Sequence, residues 1–357
     1  MWSGVAPGRL PGFVRQGMRM LVTIAKLLVK RLLTAIPILL IVSALLFCIL
    51  RVLPVDPAAM SMPPNATVEE IEAMRKEMGF DRPLVEQYGI WLGKLLHGDI
   101  GRSIHFRQDV SSLIGSTLPA TIELAVLAMV VATVFGLAGG LFLFYARGTR
   151  AEAVMDFLSI LLLSLPEFRW SLFLLLMFGV FFNLLPFTGR LSPGFERPMV
   201  TGFLLLDSLI TGNIAIFWDA IKHMILPSLA LGIALSPSLM RVLRSSLLDA
   251  YQDDYIQQAR LRGLSEKRIL IRHALKNAIL PTLSLMGVQF GFLFGGTLLV
   301  ELIYSYPGMG NLMVDAIRNA DLPIIQGAGL TYCVAVLVIN TAVDSLYLVL
   351  NPKLTAR

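Results

Sequence analysis

Six apolar stretches, at residues 31–51, 118–146, 154–184, 224–245, 281–303 and 328–350, are each long enough to cross a bilayer as a helix. About 20 residues suffice to span some 30 Å of hydrocarbon, and lipid obliges each crossing segment to satisfy its own backbone hydrogen bonds. The pattern therefore predicts an all-α, polytopic membrane protein with six transmembrane helices. Composition agrees: 56% of the 357 residues are hydrophobic and 15% charged, with a mean hydropathy of +0.73. Soluble domains are less apolar and carry more charge.

Six crossings place both termini on one side. The leading segment carries Arg9, Arg15, Arg19, Lys26, Lys30 and Arg31 with no acid, so the positive-inside rule puts the tail 1–30 in the cytoplasm. The C-terminal tail 351–357 follows it. The loop from Arg241 to Lys276 is cytoplasmic by the same logic, with eight basic residues against four acids. Residues 52–113, which include Glu69, Glu70, Glu72, Glu77, Asp81 and Glu86, are expected as a large periplasmic loop, and residues 114–350 as a five-helix transmembrane core. A net charge of +6 thus records topology, and no nucleic-acid partner is expected. The first nineteen residues, with Gly or Pro at positions 4, 7, 8, 11 and 12, lack a signal-peptide core and read as a flexible tail. Met18 and Met20 leave a later natural start open. Cys48 and Cys333 lie in apolar runs and behave as small hydrophobes, not as a disulfide framework.

Two short helices are expected in the external loop. TVEEIEAMRKEMGF pairs a Thr67 cap with Glu70 three residues later and closes at Gly79, a capping box with a C-terminal glycine. PLVEQYGIWLGKLLHGDIG then places Leu84, Tyr88, Trp91, Leu92 and Leu95 on one stripe suited to a membrane face or the tops of the spans.

Chemistry concentrates elsewhere, in DDYIQQARLRGLSEKRILIRHALKNAILP, residues 253–281. Asp253 and Asp254 favour a helix start, Arg260 and Arg262 a last turn, and Gly263 a left-handed C-cap. Ser265 caps a second helix that runs toward Pro281. A small residue followed four positions later by glycine, as Ala259 and Gly263 are, also occurs in DNA-binding helix-turn-helix units. Tethering to membrane spans at both ends excludes entry into a major groove.

No lysine in the chain is followed by Ser or Thr, so there is no P-loop, and no enzymatic constellation is present. His97, His105, His223 and His273 are scattered, and neither metal nor cofactor is expected. Charges inside the apolar runs cost roughly 2.5–3.5 kcal/mol each on insertion scales and mark candidate functional positions. Glu167 and Arg169, directly after Pro166, and more weakly Glu123, are expected to line a translocation pathway or to hold the bundle through ion pairs. Asp344 is expected to be structural, with Asn340 one turn away as a partner. Gly136, Gly139 and Gly140, with Gly287, Gly291, Gly295 and Gly296, have the spacing of close helix packing, and the fifth span is a candidate dimer surface.

Several ordered stretches between residues 27 and 353 resemble permease subunits of binding-protein-dependent ABC importers, in the oligopeptide, dipeptide and nickel branch. They are VLPVDPAAM, GFDRPLVEQYGIWLGKLLHGDIGRSI, DYIQQARLRGLS with RHALKNAILP, ELIYSYPGMGNLMVDAI with DLPIIQG, and DSLYLVLNPK. The resemblance implies a bacterial inner-membrane permease that imports a small solute, short peptides first, on ATP hydrolysis by separate subunits. It implies a nucleotide-binding ATPase, a second homologous permease in a heterodimer and a periplasmic solute-binding protein as partners, with membrane lipid around them. It makes the segment 246–280 a cytoplasmic coupling element between helices four and five. Tyr255 and Ile256 would supply apolar contact to the ATPase, Ala259 close approach, and Gly263 the chain reversal. Gln257 stands where the best-known form of the motif has Glu. An ion-gradient-driven transporter or channel is the competing reading, since six spans and buried carboxylates would also serve it.

Overall fold

A computed structural model describes residues 12–52, 58–59, 62, 65–77, 79 and 81–350, with backbone alone at 12–21, 24, 52, 77 and 346–350. The first eleven residues and the tail 351–357 lie outside the described residues. Thirteen α-helices are described: α1 (Gly12–Val52), α2 (Val68–Glu77), α3 (Leu84–Leu96), α4 (Val110–Tyr145), α5 (Arg150–Ser164), α6 (Glu167–Leu174), α7 (Leu204–Ile210), α8 (Ile214–Ala250), α9 (Asp254–Leu261), α10 (Glu266–Ile269), α11 (Leu275–Ile303), α12 (Met309–Arg318) and α13 (Leu322–Leu350). Wider π-type turns extend α6 over Leu175–Phe181 and join α10 to α11 over Leu270–Ala274.

Five helical segments are long and apolar enough to cross a membrane: Ala25–Arg51, Val110–Tyr145, Ile214–Ala250, Glu266–Ile303 and Leu322–Ser345. The sixth expected crossing, 154–184, is not one rod. It is two helices, Arg150–Ser164 and Glu167–Phe181, bent by 101°. Proline clashes with a helical residue before it, and Leu165 is extended, at φ −111° and ψ 127°, ahead of Pro166. The tail also departs from expectation: the helix begins at Gly12 and runs unbroken into the first span.

The centre of the bundle is α4 against α8. Ala120, Leu124, Ala125 and Ala128 pack with Met224, Leu226, Ala230 and Leu231. Lipid is as apolar as the helices, so close packing rather than hydrophobic transfer draws them together, and small residues permit it. Gly136, Gly139 and Gly140 accordingly face Leu239, Met240 and Leu243, while Gly232 answers from α8 against Val131. Of the second glycine set, Gly287 faces Val343 of α13. α13 also packs along α1.

Two short helices, α2 and α3, occupy the segment between α1 and α4. Thr67 N–H donates to Glu70 Oε2 at 2.7 Å, and Glu70 N–H returns a bond to Thr67 Oγ1 at 3.3 Å. These bonds, the backbone one foremost, hold the exposed Glu70 carboxyl below its ordinary range. α3 folds back on α1, where Phe47 meets Tyr88 and Trp91 at ring-centroid distances of 5.5 and 5.8 Å. Tyr88 and Ser43 share a hydroxyl hydrogen bond of 2.8 Å.

Candidate functional site

At one end of the bundle α9 lies against α8 and the start of α11. Its closing turn is a Schellman motif: Leu264 N–H reaches Ala259 O at 3.3 Å and Gly263 N–H reaches Arg260 O at 2.8 Å. That geometry needs a left-handed residue, and Gly263 has φ +75°. Leu264 and Ala259 close the motif's apolar contact. Arg260 links the two short helices through Glu266, Nε to Oε1 at 2.7 Å, and lies over the Tyr251 ring at 5.5 Å.

The faces of α9 are divided differently from the sequence expectation. Ile256 is fully buried and Ala259 is 5% exposed. Both sit in the chain's own core with Leu243, Leu247, Ala250, Ile269, Leu270, Ala274 and Ala278. They hold the helix to its bundle and have no surface left for a partner. Half-buried Tyr255 accepts a hydrogen bond from Asn277 at 3.1 Å. The outward face is Gln257, Gln258 and Leu261, the last 88% exposed. The i, i+3 spacing of Ile256 and Ala259, continued to Leu264, is the signal in the sequence that marks the inward stripe. On the same end, Arg244 of α8 pairs with Glu152 and, at 3.3 Å, with Asp156 of α5.

The charges within the spans separate into three settings. Glu167 opens α6 and lines a cavity of about 540 Å³ with Leu231, Ala234 and Leu235 of α8 and Gln289, Phe292, Gly295 and Gly296 of α11. Arg169 is exposed two residues on, beside the Phe168 ring, and no ion pair joins it to Glu167 among the described residues. Glu123, which does not line that cavity, lies in a buried pair with Arg190 and accepts a 2.8 Å bond from Leu205 N–H. Asp344 pairs with Arg31 across α13 and α1, and among the described residues no hydrogen bond joins it to the expected partner Asn340. Both groups border a second cavity, of about 610 Å³.

Two further anchors escape sequence reasoning. Glu301, fully buried at the end of α11, accepts from Thr121 Oγ1 at 2.7 Å and from Gly310 and Asn311 N–H at 2.7 and 3.3 Å. It thereby ties α4 and the start of α12 to α11. Buried Asp207 gathers Val200, Thr201 and Gly202 through bonds of 2.6–3.1 Å. Burial alone would raise its pKa; the hydrogen bonds from Thr201, Val200 and Gly202 outweigh that and hold it below the ordinary carboxylate range. Only the ELIYSYPGMG stretch containing Glu301 stood out in the sequence, and it carried no role for that residue.

Fold and site together define a polytopic helical permease with a short helical segment set against one end. A family model described as "Binding-protein-dependent transport system inner membrane component" matches residues 132–356, and the model for the N-terminal part of such components matches residues 24–125. The chain belongs to this family of ABC importer permeases, and its ion-gradient alternative is not favoured. It is 35% identical to the di/tripeptide transport system permease protein DppB of Pseudomonas aeruginosa, covering 91% of this chain and 97% of that one. Identity to the dipeptide transport system permease protein DppB of Escherichia coli K12 is 35%, over 92% and 98%. The glutathione transport system permease protein GsiC of Shigella flexneri is 34% identical, over 91% and 97%. The fold is shared with the inward-facing MetNI methionine ABC transporter, at a TM-score of 0.52 and 13% identity over 67% of this chain and 96% of that one. Family membership makes this an inner-membrane permease subunit that works with an ATPase and a solute-binding protein.

Proposed function

We propose that this permease imports short peptides as one half of a heterodimer with a second homologous permease, and that α9 is its docking element for the ATPase. The observation that carries the coupling role is the division of α9 into two faces. Ile256 and Ala259 lock it to α8 and α11, so force applied to the helix passes into two spans at once. Gln257, Gln258 and Leu261 are left outward for the partner, with Tyr255 at the edge and Gly263 setting the reversal into α10. An outward glutamine in place of glutamate makes the contact polar without a charge. The peptide cargo is supported by relatives that transport dipeptides, di/tripeptides and glutathione.

Both termini and α9 are assigned to the cytoplasm, on the strength of the basic residues that flank them. Within the membrane the pathway runs past Glu167 and Arg169, where α6 departs from α5 at Pro166. Glu123 serves that pathway from its outer end, by holding the 183–213 connection through Arg190. A photo-crosslinker placed at Leu261 in the assembled importer tests the docking assignment. It is expected to capture the ATPase subunit, and the same probe at Ile256 to disturb folding or capture nothing in trans; the reverse pattern would remove α9 as the docking face.

A further inference from the structure

The cavity beside Glu167 has features that a packing role does not explain. It lies at the level where α8 and α11 are mid-span, bordered by Leu231, Ala234, Leu235, Gln289, Phe292 and Leu293. A carboxylate at that depth demands a cation, a donor or water. Among the described residues no hydrogen bond or ion pair engages the Glu167 carboxylate, nor the Gln289 amide on the facing helix. By contrast, Glu123, Glu152, Asp344 and Glu301 are all paired or hydrogen-bonded. The room is built in on α11: a Cβ at Gly296 would stand 3.1 Å from Glu167 Oε1, and one at Gly295 would meet nothing within 4 Å. Gly296 thus keeps the wall back from an unpartnered acid, with open space beside it at Gly295.

We propose that Glu167 and Gln289 form a transient station for the cationic amino terminus of the peptide as it crosses the membrane. This rests on the peptide reading above. A free ammonium carries one positive charge and three donors, which match an anionic acceptor and an amide oxygen on opposite walls. The flanking Leu231, Leu235, Phe292 and Leu293 offer apolar surface to varied side chains without selecting among them. Binding is brief by design, because one charge-assisted contact in an open cavity holds a ligand weakly.

The test uses the complete importer, this chain with its partner permease, ATPase and binding protein, in proteoliposomes. Uptake of dialanine, trialanine and glutathione, all bearing a free α-ammonium, is measured beside ATP hydrolysis stimulated by loaded binding protein. Glu167→Gln is expected to lower uptake about tenfold while stimulated hydrolysis stays near wild type, as loss of one charged contact predicts. Glu167→Asp retains most uptake, and Gln289→Leu, which exchanges a neutral amide for an apolar side chain of similar size and leaves Glu167 in place, lowers it severalfold. Uptake within twofold of wild type in both Glu167→Gln and Gln289→Leu overturns the station alone. A wild-type importer that stimulates hydrolysis but takes up none of the three probes overturns the peptide reading and the station with it.

Discussion

Gly263 and the Glu123–Arg190 pair are legible to opposite degrees. The glycine could be found because its demand is local: a helix ending at Arg260–Arg262 and a Ser265 cap leave only Gly263 and Leu264 to reverse the chain, and of the two only glycine enters the left-handed region freely. Its φ of +75° is open to alanine at a strain of about 1 kcal/mol, since nothing lies within 4 Å of the added Cβ. Gly263→Ala is therefore expected to keep ATPase binding and most uptake. Gly263→Pro fixes φ near −65° and deletes the N–H that reaches Arg260 O, so loss of both ATPase stimulation and uptake at normal permease abundance is expected. Arg190 is different. It stands 67 positions from its partner, in a connection with no period to read, and only the tertiary fold reveals the contact. Their side chains are 2% and 6% exposed, so removing one leaves the other buried and unpaired at a cost of about 3–5 kcal/mol. Glu123→Leu or Arg190→Leu alone should cut the yield of folded permease sharply, with the double substitution recovering a large part of it. Equal yields for the single and double variants would show that the pair is not the anchor.

At the scale of elements, the spans were readable because nothing but a bilayer explains six apolar runs of that length. Their ends were not, because helices continue past the apolar stretch wherever neighbours accept polar residues. Thus α8 runs over Ile214–Ala250 where the apolar run covers 224–245. Pro166 announced a break, yet the size of the bend depends on what α6 packs against. Glycine spacing located α4's contact surface, but not Gly232, which lies alone in its helix and faces back toward Val131. A Cβ there would stand 2.5 Å from Val131 Cγ1 and 2.8 Å from the Ala128 carbonyl oxygen. Because the second contact is backbone, side-chain rotation cannot relieve it. Gly232→Ala is expected to destabilise the bundle by about 1–3 kcal/mol, read as a lowered thermal midpoint in detergent, whereas Gly295→Ala, with open space beside it, leaves that midpoint unchanged.

Across the whole molecule, the proposed orientation rests on how charge is divided between the two ends of the bundle. The basic residues cluster on the N-terminal part of α1 and on the segment from Arg241 to Lys276, and α9 lies within the latter. The acidic α2 lies beyond the other end of α1, where Glu69, Glu70 and Glu72 stand exposed. Bases resist translocation and acids do not, so the two ends are sorted before any helix pair forms. With Cys48 and Cys333 replaced by alanine, a single cysteine at Leu261 or at Glu72 reports the result directly, because both positions are exposed. A membrane-impermeant maleimide applied to spheroplasts is expected to label Glu72→Cys and to spare Leu261→Cys until the membrane is opened, and inverted vesicles should exchange the two. Labelling of Leu261→Cys in intact spheroplasts would place α9 where no ATP is available, and would take the docking role away from that helix however well its faces are suited to it.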